Sequence, residues 1–414
     1  APTANFTAAT DNVGTVTGAL TSGNTTDDTA LVLSGTNESG SGVKVYNGST
    51  LLGSATVSGT SWSYSATVAN GTTYQFNVRE TDLAGNTSNA TSNFAVTGDT
   101  TPPTVSGVAI TSVTGIQNNL LNVGDNVSVT VTFSENVPVT GTPQLTLAVG
   151  SDNRTATYAS GTGNAPLVFT YTIQAGDNDT NGISIRADAI ALDNGTISDP
   201  AGNNATLTHN AVSSNNRFMV DTEAPRVDNF TIDDALLTIG ETATVTLGFS
   251  EAVRLFAAAN ITNPNGSLPS MASSDNITWT GTFTPTTNTE VATNTISLGN
   301  SWTDTVGNPG TVATSANYEV ETLRPTASSF TFSVTQGTTY NGIPYSGTPG
   351  LKPGDNATLT VVFSEPVVSF ISADDILNPK VVLDNMTSSD NITWTGTFTP
   401  MDETQLSRER FTLS

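Results

Sequence analysis

The chain contains no cysteine in 414 residues, which excludes both disulfides and thiolate metal sites. It has one histidine, His209, so a histidine-rich metal centre and a histidine-based catalytic relay both lack their parts. Lys and Arg number 12 against 36 Asp and Glu, a net charge of −24. Phosphate recognition needs clustered cations, so a nucleic acid is not an expected partner, whereas free cations are. No apolar run reaches the roughly 18 residues of a membrane span, and no basic, then apolar, leader opens the chain. Membrane contact is not expected here, and any targeting or anchoring segment is expected outside this stretch. Gly-rich phosphate loops, zinc spacings and nucleophile elbows are missing as well, so catalysis is not expected.

What the chain does have is repetition. Gly124-Asp125 opens an alternating stretch that ends in Phe133-Ser134-Glu135; Gly240-Glu241 leads likewise to Phe249-Ser250-Glu251, and Gly354-Asp355 to Phe363-Ser364-Glu365. The copies start 116 and 114 residues apart, the length of one β-sandwich rather than of a solenoid or propeller unit. The phrase Ser273 to Pro285 recurs unchanged as Ser388 to Pro400. With 36% hydrophobic and 12% charged residues, each unit has enough apolar material for a modest core, on short half-exposed strands.

Repeated linkers divide the chain. Asp99-Thr100-Thr101-Pro102, Asp221-Thr222-Glu223-Ala224-Pro225 and Glu321-Thr322-Leu323-Arg324-Pro325 each set an acid a few residues before a proline, and proline stiffens such a joint. The expected domains are 1–98, 99–220, 221–320 and 321–414. In the first, alternation marks strands over Ala30 to Gly35, Val43 to Tyr46, Ser61 to Ser65 and Thr73 to Val78, and Asn47-Gly48 signals a hairpin. Aligning Phe411 to Ser414 with Thr295 to Leu298 leaves the fourth domain without its closing strand. It is expected to be cut from a longer array or completed by a neighbouring subunit.

In an antiparallel sandwich of seven strands, A to G, the linker, the end of strand B and the F–G turn lie at one pole. Phe-Ser-Glu ends B, and the F–G turn reads Asp82-Leu83-Ala84-Gly85-Asn86, Asp199-Pro200-Ala201-Gly202-Asn203 and Asp304-Thr305-Val306-Gly307-Asn308. Asp99, Glu135 and Asp199 are therefore expected to converge, as are Asp221, Glu251 and Asp304, with Glu321 and Glu365 left at the third joint. Clustered carboxylates repel unless a cation neutralises them, and flexible hard-oxygen donors suit Ca²⁺. The alternative is that the turns are ordinary Asx turns and the glutamates solvated strand ends.

These phrases resemble the bacterial immunoglobulin-like (Big-type) domains repeated in large secreted adhesins and other prokaryotic surface proteins. Asp11-Asn12-Val13-Gly14, Thr26-Asp27-Asp28-Thr29 and Asp82 to Asn86 carry the likeness in the first domain, Phe-Ser-Glu and Asp-x-x-Gly-Asn in the others. The resemblance implies an all-β tandem array of immunoglobulin-like antiparallel sandwiches forming an elongated, secreted, cell-surface rod. It also implies a calcium-rigidified stalk for a biofilm or cell adhesin, partnered by calcium ions and its own neighbouring repeats. Glu321 and Arg324 depart from the linker pattern.

A second reading stays open: many Asn-x-Ser/Thr acceptors, Asn276 and Asn391 among them, fit a glycosylated coat, sheath or filament subunit that binds surface glycans or other copies of itself. Two features are expected to be structural. Asp177-Asn178-Asp179-Thr180-Asn181-Gly182 looks like half a calcium loop but leads into a strand, and Trp279 and Trp394 alternate with Thr as core residues do.

Overall fold

Alternation of apolar and polar residues builds every unit, because successive side chains of a strand point to opposite faces. A computed structural model describes residues 2–334, 339–340, 343–344, 355–377, 381–400 and 412–413. The first repeat has β1 (Asn5–Asp11), β2 (Ala30–Thr36), β3 (Gly42–Asn47), β4 (Ser61–Thr67), β5 (Thr73–Thr81) and β6 (Phe94–Gly98). One sheet runs Gly18–Leu20, β1, β2, β4, Thr56–Ser58; the other runs Asn24–Thr26, β6, β5, β3, Thr50–Ser54. Leu31 and Leu33 of β2, Trp62 of β4 and Phe76 and Val78 of β5 share the core between them. The expected hairpin is present, with Asn47 paired to Thr50 and Gly48 at φ 57°, a value that suits a residue without Cβ.

The second repeat contains β7 (Val105–Thr114), β8 (Asn126–Val137), β9 (Gln144–Val149), β10 (Asp152–Ser160), β11 (Asn164–Thr172) and β12 (Ser184–Ala191). They form one sheet in the order β7, β8, β11, β10, β9, β12. The third repeat pairs β13 (Val227–Ile232), β14 (Ala243–Phe249) and β15 (Thr278–Pro285), with β16 (Glu290–Asn294) and β17 (Tyr318–Glu321) in a separate sheet. The fourth pairs β18 (Ala327–Val334), β19 (Ala357–Phe363), β20 (Val381–Leu383) and β21 (Thr393–Pro400) in the order β18, β19, β21, β20.

Among the described residues four hydrophobic clusters result, with no residue in common. The surface area agrees with that separation. The chain exposes 21587 Å², whereas one globule of 42.6 kDa would expose about 15,000 Å² and four bodies of a quarter of that mass roughly 22,000 Å².

Two details differ from the sequence expectation. The sandwiches are not wholly antiparallel: Asn24–Thr26 runs parallel to β6, Leu120–Leu121 to Met219–Val220, and Leu236–Leu237 to β17. After its first strand the chain crosses to the other sheet and travels beside the last strand, which also heads for the next joint. In the fourth repeat, Leu413 pairs with Ile376 as Leu298 pairs with Ile261. The apolar side chain sets that register, so Leu413 rather than Ser414 stands in the place of Leu298.

One buried polar network anchors the second repeat. Asp177, 1% exposed, accepts hydrogen bonds from Tyr171 Oη (2.6 Å), Gln174 N (2.9 Å) and Arg154 Nε. Tyr171→Phe removes one donor and leaves the carboxylate two. It is expected to cost about 1–2 kcal/mol, read as faster hydrogen exchange of β11 amides in the intact chain; unchanged exchange would count against the network.

Candidate metal centres at the joints

The Phe-Ser-Glu phrase divides its work among three residues. Phe133, Phe249 and Phe363 enter the cores. The serine fastens the incoming linker: Ser134 N donates to Thr104 O at 2.8 Å while Ser134 Oγ accepts from Thr104 N at 3.0 Å. Ser250 does the same with Arg226, and Ser364 with Thr326. Sequence reasoning missed this role; the signal was the serine's invariable place between a core residue and an acid. The glutamate, next along an alternating chain, is left at the pole.

The Asp-x-x-Gly-Asn turn is self-capped. Asp304 Oδ1 accepts from the N–H groups of Val306 (2.8 Å), Gly307 (2.7 Å) and Asn308 (2.9 Å), and Oδ2 accepts from Asn308 Nδ2 at 2.7 Å. Asp199 repeats this with Ala201, Gly202 and Asn203. The Asn side chain then holds the linker: Asn203 Nδ2 donates to Asp99 O at 2.9 Å, and Asn308 Nδ2 to Asp221 O at 3.0 Å. The Asx-turn reading is thus correct as far as it goes, and the turn also carries its aspartate to the joint.

Three acids meet at each of two joints. Asp99, Glu135 and Asp199 offer oxygens all within 4.8 Å of one another, as do Asp221, Glu251 and Asp304. Asp199 and Asp304 are fully buried. Burial, then Asp221 and Asp304, push the Glu251 carboxyl up to about 7, with Glu223 adding and Arg226 opposing. Burial followed by Asp199 and Asp99 raises Glu135, and burial chiefly raises Asp221. The same turn also occurs in the first repeat. Asp82 is bonded by Asn86 Nδ2 and by the N–H groups of Asn86 and Ala84, and the Asn86 contacts hold its carboxyl below the usual range. Burial, with neighbouring acids adding to it, therefore sets Glu135, Asp221 and Glu251 apart at the joints.

At the third joint Glu321 is raised by burial and then by Glu365, with Glu290 and Glu319 contributing. Glu290 is cross-strand partner to Glu321. Glu321 and Glu365 thus come near each other, but no third acid joins them in a cluster of that kind among the described residues.

The preceding repeat contributes what the linker pattern concealed. Thr15 donates to Gly202 O through N (3.2 Å) and Oγ1 (3.0 Å). Asp27 of the first repeat is 9% exposed, and its Oδ1 has no hydrogen-bond partner. Burial, Asp11, Asp199 and Asp28 all raise its carboxyl. Asp11, Asp27 and Asp28 carried the family likeness but were not assigned to the joint, since only the docking of repeats brings Asp27 beside Asp199.

The remaining candidates are structural. Asp179 Oδ1 accepts from Asn181 N and Gly182 N, and Oδ2 from Gly150 N, a capped turn rather than a calcium loop. His209 Nε2 accepts from Ala189 N at 2.9 Å and Nδ1 lies 2.8 Å from Asn210 O, so backbone occupies both nitrogens. Trp62 and Trp302 are buried; Trp279 packs edge-on to Phe256 and Trp394 edge-on to Phe370. Among the described residues no helix is long and apolar enough to cross a membrane.

Comparison with known proteins places the chain. Two family models, each described as a bacterial Ig-like domain, match it, one over residues 221–320 and 345–414 and the other over 3–100. No curated protein matches. Among solved structures, the I67–I69 I-band fragment of titin is 8% identical, covers 78% of this chain and 98% of its own, and gives a TM-score of 0.31. The insect immune protein hemolin is 10% identical over 99% of this chain and 98% of its own, with a TM-score of 0.24. A Bacteroides ovatus protein of a mixed-linkage glucan utilization locus, solved with a heptasaccharide, is 15% identical over 96% and 98%, with a TM-score of 0.18. Domains of the matched kind are typically non-catalytic and typical of extracellular surface proteins. With repeated sandwiches, self-capped joint turns and matches over well more than half of its length, the chain belongs to the bacterial immunoglobulin-like domain family.

Proposed function

We propose that the chain is a non-catalytic stalk of a surface adhesin, stiffened by Ca²⁺ at its joints. The observation that carries this reading is the convergence of linker, strand-end and turn carboxylates within 4.8 Å at two successive joints. The donor set fits the ion. All are hard oxygens, two from flexible side chains at the rim and one from a fixed turn, and the Asp99 and Asp221 main chains are already pinned by Asn203 and Asn308. Ca²⁺ accepts such mixed, flexible oxygen donors, completing its shell with carbonyls and water. Asp99, Glu135 and Asp199 would hold one ion, and Asp221, Glu251 and Asp304 another. A bound cation would tie linker, strand end and turn together and so oppose bending.

Light scattering with small-angle X-ray scattering tests the stalk. In millimolar Ca²⁺ the chain is expected to stay monomeric and to reach its greatest maximum dimension; in chelator that dimension should shrink as a joint bends. Association in Ca²⁺ would favour a coat or filament subunit, and an unchanged dimension would remove the case for a stiffening ion.

A further inference from the structure

The two acid-rich joints are docked by different chemistry. At the second, Val306 O receives Gln117 Nε2 at 3.1 Å and Asn122 Nδ2 at 2.8 Å, and Thr305 O receives Asn118 Nδ2 at 3.4 Å. All three donors are neutral amides from the tip of the second repeat. That tip is ordered by its own bonds. Gln117 and Leu120 exchange N–H···O bonds of 2.9 and 2.8 Å around Asn118 and Asn119, both left-handed at φ 53° and 67°, a conformation asparagine tolerates in tight hairpins. Asn122 N donates to Asp125 Oδ2 at 3.0 Å, so the one acid of this tip is turned to its own loop. Gly307 leaves space for the amides: a Cβ there would lie 3.1 Å from Asn122 Nδ2 and 3.3 Å from Gln117 Nε2.

The first joint is docked through one threonine, by main chain and hydroxyl, and with charge on both sides. Thr15 is the donor to Gly202 O, and a Cβ on Gly14 would meet Asp27 Oδ2 at 2.0 Å and Gly202 O at 3.0 Å. Asp27, with Asp11 and Asp28 beside it, opposes Asp199 on the other side, next to Asp99 and Glu135. Like charges at partly buried positions are screened poorly by solvent.

We propose that Gln117 and Asn122 form an amide clasp that keeps the second joint aligned without a cation, so that cation loss loosens the chain at the first joint and spares the second. The part concerning the first joint rests on the calcium reading above; the clasp does not. The rod would then carry a cation-gated hinge between repeats one and two and a permanently closed joint between two and three.

Because the chain has no cysteine, spin labels at introduced cysteines report single sites. Asn153→Cys with Ser267→Cys spans the second joint, Ser58→Cys with Asn153→Cys the first, all at exposed positions. By pulsed electron resonance on the full chain, the Asn153–Ser267 distance distribution is expected to keep its width when Ca²⁺ is replaced by chelator. Gln117→Ala with Asn122→Ala should broaden it about twofold in chelator, a domain motion released by lost docking bonds. Gln117→Met, which keeps volume but cannot donate, should broaden it less, and guards against a folding defect in the double variant. Broadening of the parent on chelation, or no broadening in the double variant, overturns the clasp. The Ser58–Asn153 pair decides the calcium reading by itself: broadening in chelator supports it, and constancy defeats it whatever the clasp does.

Discussion

Replacing Glu251 by glutamine is expected to raise the melting temperature of the third repeat in chelator at neutral pH and to abolish its response to Ca²⁺. Glu251 has its carboxyl pushed to about 7 from 4.5 by burial and by Asp221 and Asp304. A raised folded-state pKa means that the folded protein holds the proton more tightly than the unfolded chain. The associated stability is fully present below pH 4.5 and is lost as pH rises through 7. Without a cation the parent should therefore weaken between these values, by at most about 3 kcal/mol. Glutamine keeps the shape and lacks the charge, so the variant should show a flatter pH profile. For a domain of about 100 residues, each kcal/mol corresponds to about 4–8 °C. If Ca²⁺ binds the ionised acid in the folded state only, as proposed above, it should restore the parent at pH 7.5 by mass action and leave Glu251→Gln unmoved. Calorimetry at pH 5 and 7.5, with Ca²⁺ and with chelator, distinguishes the cases. A Glu251→Gln chain that melts with the parent in chelator and still gains from Ca²⁺ would falsify the assignment of a cation to this glutamate.

Asp304→Ala should act in the opposite direction and under every condition. It strips the acceptor from three main-chain N–H groups and from Asn308 Nδ2, in a turn where Val306 and Asn308 are buried. Each buried donor left unpaired costs about 1–3 kcal/mol, so a total loss of about 3–5 kcal/mol is expected, enough to threaten a single repeat of marginal stability. Asn308 would also lose its anchor and release Asp221 O, and Val306 O would no longer be held toward Gln117 and Asn122. The loss should already appear in chelator and be larger in Ca²⁺ by what the ion adds to the parent, measured by denaturant unfolding of the intact chain. If the cost appeared only in Ca²⁺, the turn would not depend on its aspartate and Asp304 would be a ligand alone. Alanine at this position is consequently a poor probe of metal binding, and glutamine at Glu251 the cleaner one.

The difference between these two acids was not legible in the sequence, where both belong to repeated phrases of equal weight. Asp304 is committed to its own turn within four residues, a local arrangement. Glu251 has its environment assembled by Asp221 and Asp304, 30 and 53 residues away, and by burial that only the packed repeat supplies. The convergence itself was legible, because alternation and strand parity bring linker, strand end and turn to one pole whatever the side-chain details. The tip of the preceding repeat was not. Gln117, Asn122, Thr15 and Asp27 belong to none of the phrases repeated along the chain, and their contacts with the next repeat follow from docking of two finished sandwiches. The parallel pairing beside the last strand escaped for a similar reason: two or three residues of strand are too short to carry a period.

The sequence by itself determined a string of like all-β units, their linkers, and the residues that recur at each joint. Such information is local, repeated and written in a period-two pattern that strands cannot escape. Tertiary structure alone decided which carboxylates are satisfied by their own backbone and which are crowded, which joint opposes acid to acid and which meets carbonyl with amide. Those outcomes depend on burial and on distances between residues far apart in the chain, and electrostatic free energies change steeply with both.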